Sequence, residues 1–252
     1  MCIRDRAYND RVWAIIGSID GIATHVAEQV ITKALLPLID PGSTDRTVNA
    51  AMVPWMFSCL PGDPLIADAL APHLAAEAGN EGPVLLSSTG HDERHLAEEF
   101  KHWFATRRPG LSQVLDFQPG DANLERVVAQ ATGARAVMVF GGVADTARAV
   151  RLLRARSKAT LIYAGPAAAR TAFRALAGTA SEGVRCPQMT TAAASEEGHD
   201  YAALACYDAV RLAAAAIRTG GLNRIRICRA LARLSPWQGA AGEIRWSALN
   251  RN

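Results

Sequence analysis

Residues 136–155 read AVMVFGGVADTARAVRLLRA: a five-residue run with no polar side chain, a Gly-Gly pair, then a stretch whose apolar positions recur at helical spacing. The run Ala136–Phe140 is short and continuously apolar, as a strand covered on both faces must be. The helix read over Thr146–Ala155 keeps Arg148, Arg151 and Arg154 on one stripe, which reads as a solvated face rather than an anion site. A strand, a glycine turn and an amphipathic helix make one βα unit, and a chain of such units builds a parallel sheet with helices outside it.

The same unit recurs on both sides. Candidate strands are Val12–Gly17, Leu36–Asp40, Met56–Leu60, Val84–Ser87, Val114–Phe117 and Thr160–Ala164. Helices with one polar face fill the gaps at Thr24–Ala34, Leu65–Ala78, Glu93–Ala105, Asn123–Ala131 and Ala168–Ala177. After residue 198 the alternation stops. Two helices follow in succession, Tyr201–Thr219 and Asn223–Leu234, broken by Gly220-Gly221, and a short strand, Glu243–Ser247, closes the pattern. Turn signals at Pro61–Pro64, Gly79–Pro83, Pro187–Gly198 and Pro236–Gly242 divide the chain. The expected fold class is α/β, in two lobes.

Composition narrows the partners. The 27 basic and 24 acidic residues are scattered, which argues against nucleic acid as the main partner. Arginine outnumbers lysine 24 to 3, read as coding bias of a GC-rich genome. The five cysteines show neither CxxC nor metal-ligand spacing, so neither a disulfide framework nor a zinc site is expected. Cys59 and Cys206 fall in apolar runs and read as small packed hydrophobes. Asp208 and Arg211 interrupt even the Ala-rich stretch over 202–217, so no direct membrane insertion is expected. The start, MCIRDR, has no apolar h-region and reads as a non-native leader.

Ligands of parallel sheets bind beyond the carboxyl ends of the strands. Here those ends read Gly17-Ser18-Ile19-Asp20-Gly21, Asp40-Pro41-Gly42-Ser43-Thr44, Ser87-Ser88-Thr89-Gly90-His91-Asp92, Gly141-Gly142-Val143 and Gly165-Pro166-Ala167. They are small and hydroxylated, which suits a small polar ligand, although turns and N-caps draw on the same residues. In the second loop Gly42 permits close backbone approach and Ser43 or Thr44 offers a hydroxyl, a place where a carboxylate can rest. There is no GxGxxG after the first strand and no GxxxxGK[ST], so dinucleotide enzymes and P-loop NTPases are disfavoured. His91 and His95 have a workable ligand spacing, but no third ligand is identifiable, and the segment reads as a helix start with no metal. No nucleophile and base stand in a recognised arrangement, so no enzyme and no cofactor are expected.

Three stretches in order, VWAIIGSIDGIAT (12–24), LPLIDPGST (36–44) and PWMFSCLPGD (54–63), resemble the middle of the leucine/isoleucine/valine-binding protein family, type I periplasmic binding proteins of branched-chain amino acid ABC transporters. Asp92–Phe100, Ala136–Gly142, Ser181–Gly183, Tyr207–Val210 and Gly239–Trp246 continue the likeness, which runs over about residues 11–250. It implies two Rossmann-like lobes with parallel sheets flanked by helices, the periplasmic binding protein-like I fold, with the first lobe incomplete. Residues 1–10 would be a non-native or disordered leader, 11–80 the partial first lobe, 81–190 the second lobe, 191–236 helices returning to the first, and 237–252 hinge and terminal strand. The family's secretion signal and first βα elements would precede residue 11, and their loss would expose apolar edges.

The resemblance further implies an extracytoplasmic, periplasmic solute-binding component of an ABC transporter. It would capture an amino acid, amide or related compound between the lobes and present it to a membrane permease. The same fold also serves as the ligand-sensing domain of receptors and regulators, and that alternative stays open. Gly21, Gly42, Ser43 and Thr44 would line the first-lobe half of the site, with Ser18 beside them. Asp92 stands in the place of a family tyrosine with His91 next to it, Val143 in the place of another, and Ala167 in the place of the acidic residue that pairs with an amino acid's ammonium. An unpaired ammonium in a closed site is strongly disfavoured. Either Asp92 supplies the charge from another position or the ligand is not an amino acid, and branched-chain specificity is not expected.

Overall fold

The computed structural model describes residues 3–10, 12–107, 110–247 and 252. Met1 and Cys2 of the expected leader, Arg11, and residues 248–251 of the terminal segment lie outside the described residues. In chain order the elements are α1 (Ile3–Tyr8), β1 (Ile15–Ile16), α2 (Gly21–Ala34), β2 (Leu38–Asp40), β3 (Met56–Ser58), α3 (Asp63–Ala78), β4 (Val84–Ser88), α4 (His91–Ala105), β5 (Gln113–Phe117) and α5 (Leu124–Ala129). They continue with β6 (Ala136–Phe140), α6 (Val143–Arg156), β7 (Leu161–Ala164), α7 (Thr171–Ala177), α8 (Ala192–Glu196), α9 (Tyr201–Gly220), α10 (Arg224–Arg233), β8 (Trp237–Gln238) and β9 (Glu243–Ile244). The chain divides into two compact units, the first made of residues up to Gly62 together with Met189 onward, the second of Asp63–Gln188.

The first unit holds a parallel sheet of order β1-β2-β3, with Ile15 opposite Leu38 and Ile39 opposite Phe57. Strands β2 and β3 are buried along their whole length, in keeping with the apolar residues that open each of them before a buried polar residue, Asp40 or Ser58, ends it. Helix α2 starts where the Asp20 carboxylate accepts the Ala23 N–H at 2.7 Å, an N-cap that satisfies one free helical donor. Its buried stripe of Ala27, Ile31 and Ala34 packs with Leu36, Leu38 and Met56. Helix α9, capped by Asp200, lies against β1 and β2, with α10 against α9. Among the described residues β1 is paired on one side only, and Ile16, Ile22 and Val26 are exposed.

The second unit holds a parallel sheet of order β5-β4-β6-β7. Leu86 of β4 faces Leu115 on one side and Val139 on the other, and Met138 of β6 faces Tyr163 of β7. Its core joins Leu86, Phe117, Val139, Val150, Ile162 and Phe173. Arg185 bridges to Tyr163 and covers part of the β7 edge.

Several expectations need correction. Within residues 1–10, read as a non-native or disordered leader, Ile3–Tyr8 form α1, which packs on α2; six residues are too few for periodicity to register. Helix α3 falls in the second unit, whereas the sequence reading places its residues in the first lobe. The arginine stripe of α6 is more than a solvated face. Arg148 donates to the carbonyls of Asp121 and Ala122, and Arg154 to those of Lys158, Thr160 and Glu182. Cys59 is buried as expected, but Cys206 is exposed on α9. The closing strand pairs antiparallel with β8, which the sequence reading does not include, Trp237 opposite Ile244.

Candidate functional site

The first-unit loops meet beyond the carboxyl ends of β1 and β2. Asp40, fully buried, ends β2 and accepts the N–H groups of Gly42 at 2.9 Å and Ser43 at 3.2 Å. A buried carboxylate that accepts two backbone donors locks the loop, and those two donors are therefore spent inside the protein. Its second oxygen lies 3.4 Å from the Thr24 hydroxyl, which donates to the Asp20 carbonyl and bonds to the Ser18 hydroxyl. Ser18 and the first turn of α2, which starts at the buried Gly21, are thereby tied to the end of β2.

Gly42 is where the two loops touch. A Cβ there would lie 2.6 Å from both the Ile19 Cα and the Ser18 carbonyl oxygen, which are backbone atoms that cannot rotate away. The expected close approach is thus real, but it is made to the neighbouring loop. Ser43 is buried, and its hydroxyl accepts the Asp45 N–H at 3.1 Å. Thr44 is half-buried, and its hydroxyl has no hydrogen-bond partner among the described residues.

Sequence reasoning misses a polar cluster next to Thr44. Asp45 accepts the backbone and hydroxyl of Thr47, both at 2.7 Å, and its other oxygen lies 3.1 Å from His25 Nε2. Thr47 Oγ1 is 2.9 Å from the same nitrogen, and the Glu28 carboxylate lies 3.7 Å from Nδ1. The run Ser-Thr-Asp-Arg-Thr (43–47) carries the Asx and hydroxyl-turn signal for this loop; nothing in the sequence pairs it with His25.

In the second unit the expected residues lie along one sheet edge. His91 and Asp92 open α4 after β4, Val143 opens α6 after β6, and Ala167 sits in a 3-10 turn, Pro166–Ala169, after β7. Because β4, β6 and β7 are consecutive neighbours, these three loops are adjacent. Asp92 is half-buried, while Val143 packs partly against the core. The His91 and His95 rings meet edge to face, with centroids 4.5 Å apart. Burial pushes the Glu93 carboxyl above the usual carboxylate range, and the nearby carboxylates of Asp92 and Asp145 push it further. Asp145 also accepts the Gly120 N–H at 2.9 Å, which fixes the loop after β5.

No helix among the described residues is long and apolar enough to cross a membrane. The fold recurs in solved binding proteins. A leucine-binding protein, LivK, from Thermotoga maritima superposes with a TM-score of 0.85 at 20% identity, over 98% of this chain and 76% of that one. The branched-chain amino acid transporter substrate-binding protein LivJ of Streptococcus pneumoniae, solved with isoleucine, gives 0.86 at 18% identity, over 99% and 76%. A solute-binding protein from R. palustris, solved with benzoate, gives 0.79 at 14% identity, over 99% and 74%. A search of curated protein sequences finds no match. The family model described as periplasmic binding protein matches residues 3–252, and the chain belongs to that family.

Proposed function

We propose that the protein is the extracytoplasmic solute-binding component of an ABC transporter and captures a small polar ligand. The observation that carries this reading is the placement of Thr44. Its hydroxyl stands half-buried beyond a strand end with no internal partner among the described residues, while the donors around it are taken up by Asp40 and Asp45. A rigid loop that presents one unspent hydroxyl loses little entropy on binding and can give a directed hydrogen bond. The second-unit contribution is assigned to His91, Asp92, Val143 and Ala167, and Ser18, Gly21, Gly42 and Ser43 shape the first-unit side. A membrane permease is the partner, and the site of action is the periplasm or its equivalent.

The ligand is not assigned to the branched-chain amino acids. Ala167 brings no charge, and Val143 brings no hydroxyl. A neighbour of the same fold was solved with benzoate, which has no ammonium to satisfy. Asp92 is the acidic residue assigned to an ammonium-bearing ligand. Calorimetry of the purified chain against free amino acids, their amides, short aliphatic carboxylates and aromatic carboxylates tests the reading. Saturable binding to one class, at one site per chain, is the expected result. Absence of binding across the whole panel, with the protein shown to be folded, would count against it.

A further inference from the structure

The sheet of the first unit has a second end. Thr44 lies beyond the carboxyl end of β2, whereas at the amino ends the chain enters β1, β2 and β3 from loops that carry Trp13, Leu35 and Met52, all three exposed. Because the strands are parallel neighbours, these three loops are adjacent. Leu35 and Met52 have φ of 50° and 54°, the left-handed backbone that favours glycine. A leucine and a methionine stand there instead and turn their side chains to water, Met52 with 69% of its surface exposed.

Helix α10 crosses the same end. The Arg224 guanidinium donates to the carbonyls of Val12 at 3.0 Å and Ala34 at 2.9 Å, and one turn on the Cys228 S–H donates to the Pro54 carbonyl at 2.9 Å. The helix therefore passes in turn the residues that lead into the three strands. It buries Ile227, Cys228, Ala230 and Leu231, and leaves Arg226, Arg229 and Arg233 exposed, with Leu222 and Ile225 exposed at its start. None of those three arginine side chains has a hydrogen bond or ion pair among the described residues. From Ala209 to Gly242 the chain has six arginines and no acidic residue, and Lys33 adds an exposed cation in the last turn of α2. Helix α1, packed on α2, brings Arg4 and Arg6 together with Asp5 and Asp10 and leaves the balance unchanged.

We propose that this amino-end face of the first unit is a docking surface for a bilayer containing anionic phospholipid, which the chain touches without crossing. A guanidinium offers a planar fork that a lipid phosphate fills, and arginines with no internal partner give up nothing to take one. Exposed apolar side chains beside a cluster of basic ones are the combination that holds a protein at the headgroup boundary. A second copy of the chain suits the face less well, because two such faces brought together repel. Thr44 lies at the other end of the same sheet, so docking and ligand capture use separate surfaces, and this proposal stands whether or not the binding reading does.

Sedimentation of the full chain with vesicles tests it. Vesicles of phosphatidylglycerol and phosphatidylcholine in equal parts should carry the protein down at about 0.05 M salt and release it at about 0.5 M, where surface charge is screened. Phosphatidylcholine alone should not carry it, and equal binding to these neutral vesicles overturns the proposal. Each arginine removed should weaken partitioning about fivefold, so Arg226→Gln with Arg229→Gln and Arg233→Gln should weaken it on the order of a hundredfold. Arg126→Gln with Arg151→Gln and Arg174→Gln removes the same charge from exposed positions of the second unit and should leave partitioning within about twofold. Equal loss in both triple variants would mean attraction by net charge alone and overturns it. Leu222→Ser with Ile225→Ser should weaken partitioning about tenfold, and no loss overturns a surface that mixes apolar and basic groups. A dimer seen without vesicles, and abolished by the α10 triple variant, would give the face to a second copy and overturn the proposal too. Where a triple variant fails to unfold cooperatively in urea, Arg229→Gln set against Arg151→Gln decides by the same comparison.

Discussion

At Thr44 the first-unit loop leaves a hydroxyl outside its own hydrogen-bond network, and that residue carries the first prediction. Valine matches threonine in shape, so Thr44→Val should leave the unfolding temperature of the ligand-free protein unchanged. It should weaken calorimetric affinity for whichever panel compound binds about five- to tenfold, the size of one neutral hydrogen bond. Unchanged affinity would remove Thr44 from the site. The cysteines carry a second prediction. Burial pushes the Cys228 thiol from the ordinary value of 9.0 to about 11, and its S–H donates to the Pro54 carbonyl at 2.9 Å. Burial raises the Cys59 thiol further, helped by the carboxylates of Asp40 and Asp208. Alkylation at pH 8, followed by peptide mass spectrometry, should therefore, among the described cysteines, mark the exposed Cys206 first and spare Cys59 and Cys228 in the folded protein. Thiols raised on folding stabilise fully below their unfolded value. Stability should accordingly fall as pH climbs from 9.0 toward about 11, where the unfolded chain ionises before the folded one.

Among the elements, α6 separates what a helix face looks like from what it does. Arg154 donates to three carbonyls around the end of β7 and the loop at Glu182, whereas Arg151 is exposed. Lysine keeps the charge but cannot fork, so Arg154→Lys should destabilise the protein by about 1–2 kcal/mol while Arg151→Lys stays within about 0.5 kcal/mol. Equal effects in urea unfolding would return the stripe to a solvated face. Strands buried on both faces were the most legible elements: Ala136–Phe140 declares itself as an unbroken apolar run, and Val84–Ser88 opens on one, Val-Leu-Leu. The α6 contacts were hidden because carbonyl acceptors carry no side-chain signature. The site divides in the same way. Strand ends could be read from the alternation of apolar runs and Gly-Ser-Asp loops, which put Thr44, Asp92, Val143 and Ala167 at sheet edges. That Asp40 takes up the Gly42 and Ser43 donors was open to an Asx-turn reading of Asp-Pro-Gly-Ser, whereas the meeting of His25 with Asp45 depends on two elements packing and leaves no local trace.

For the whole molecule, sequence continuity differs sharply between the two units. Residues 63–188 run without interruption and contain a complete four-stranded sheet, helices α3 to α7 and a core of their own. The first unit is assembled from two separated stretches: β1, β2 and β3 come from the first, while α9, which packs on its sheet, and α10, which packs on α9, come from the second. The Arg224 guanidinium shows the dependence, since it crosses between the stretches to the Val12 carbonyl at 3.0 Å and the Ala34 carbonyl at 2.9 Å. In the second unit the Tyr163 hydroxyl donates to Glu77 of α3 at 2.8 Å, and Arg185 bonds to both groups, so both ends of that segment are secured within it. The Arg185 hydrogen bond holds the Glu77 carboxyl below its ordinary value, a contribution present above pH 4.5 and lost as the carboxyl protonates on acidification. A contiguous α/β segment of this size can close a core alone, whereas a three-stranded sheet that keeps α2 but loses α9 leaves apolar surface open to water. Residues 63–188 expressed alone should therefore unfold cooperatively in urea and give a dispersed amide spectrum. Residues 1–62 and 189–252 should each remain unstructured until mixed. A fragment 63–188 with no cooperative transition near neutral pH would show that the second unit needs the first in order to fold.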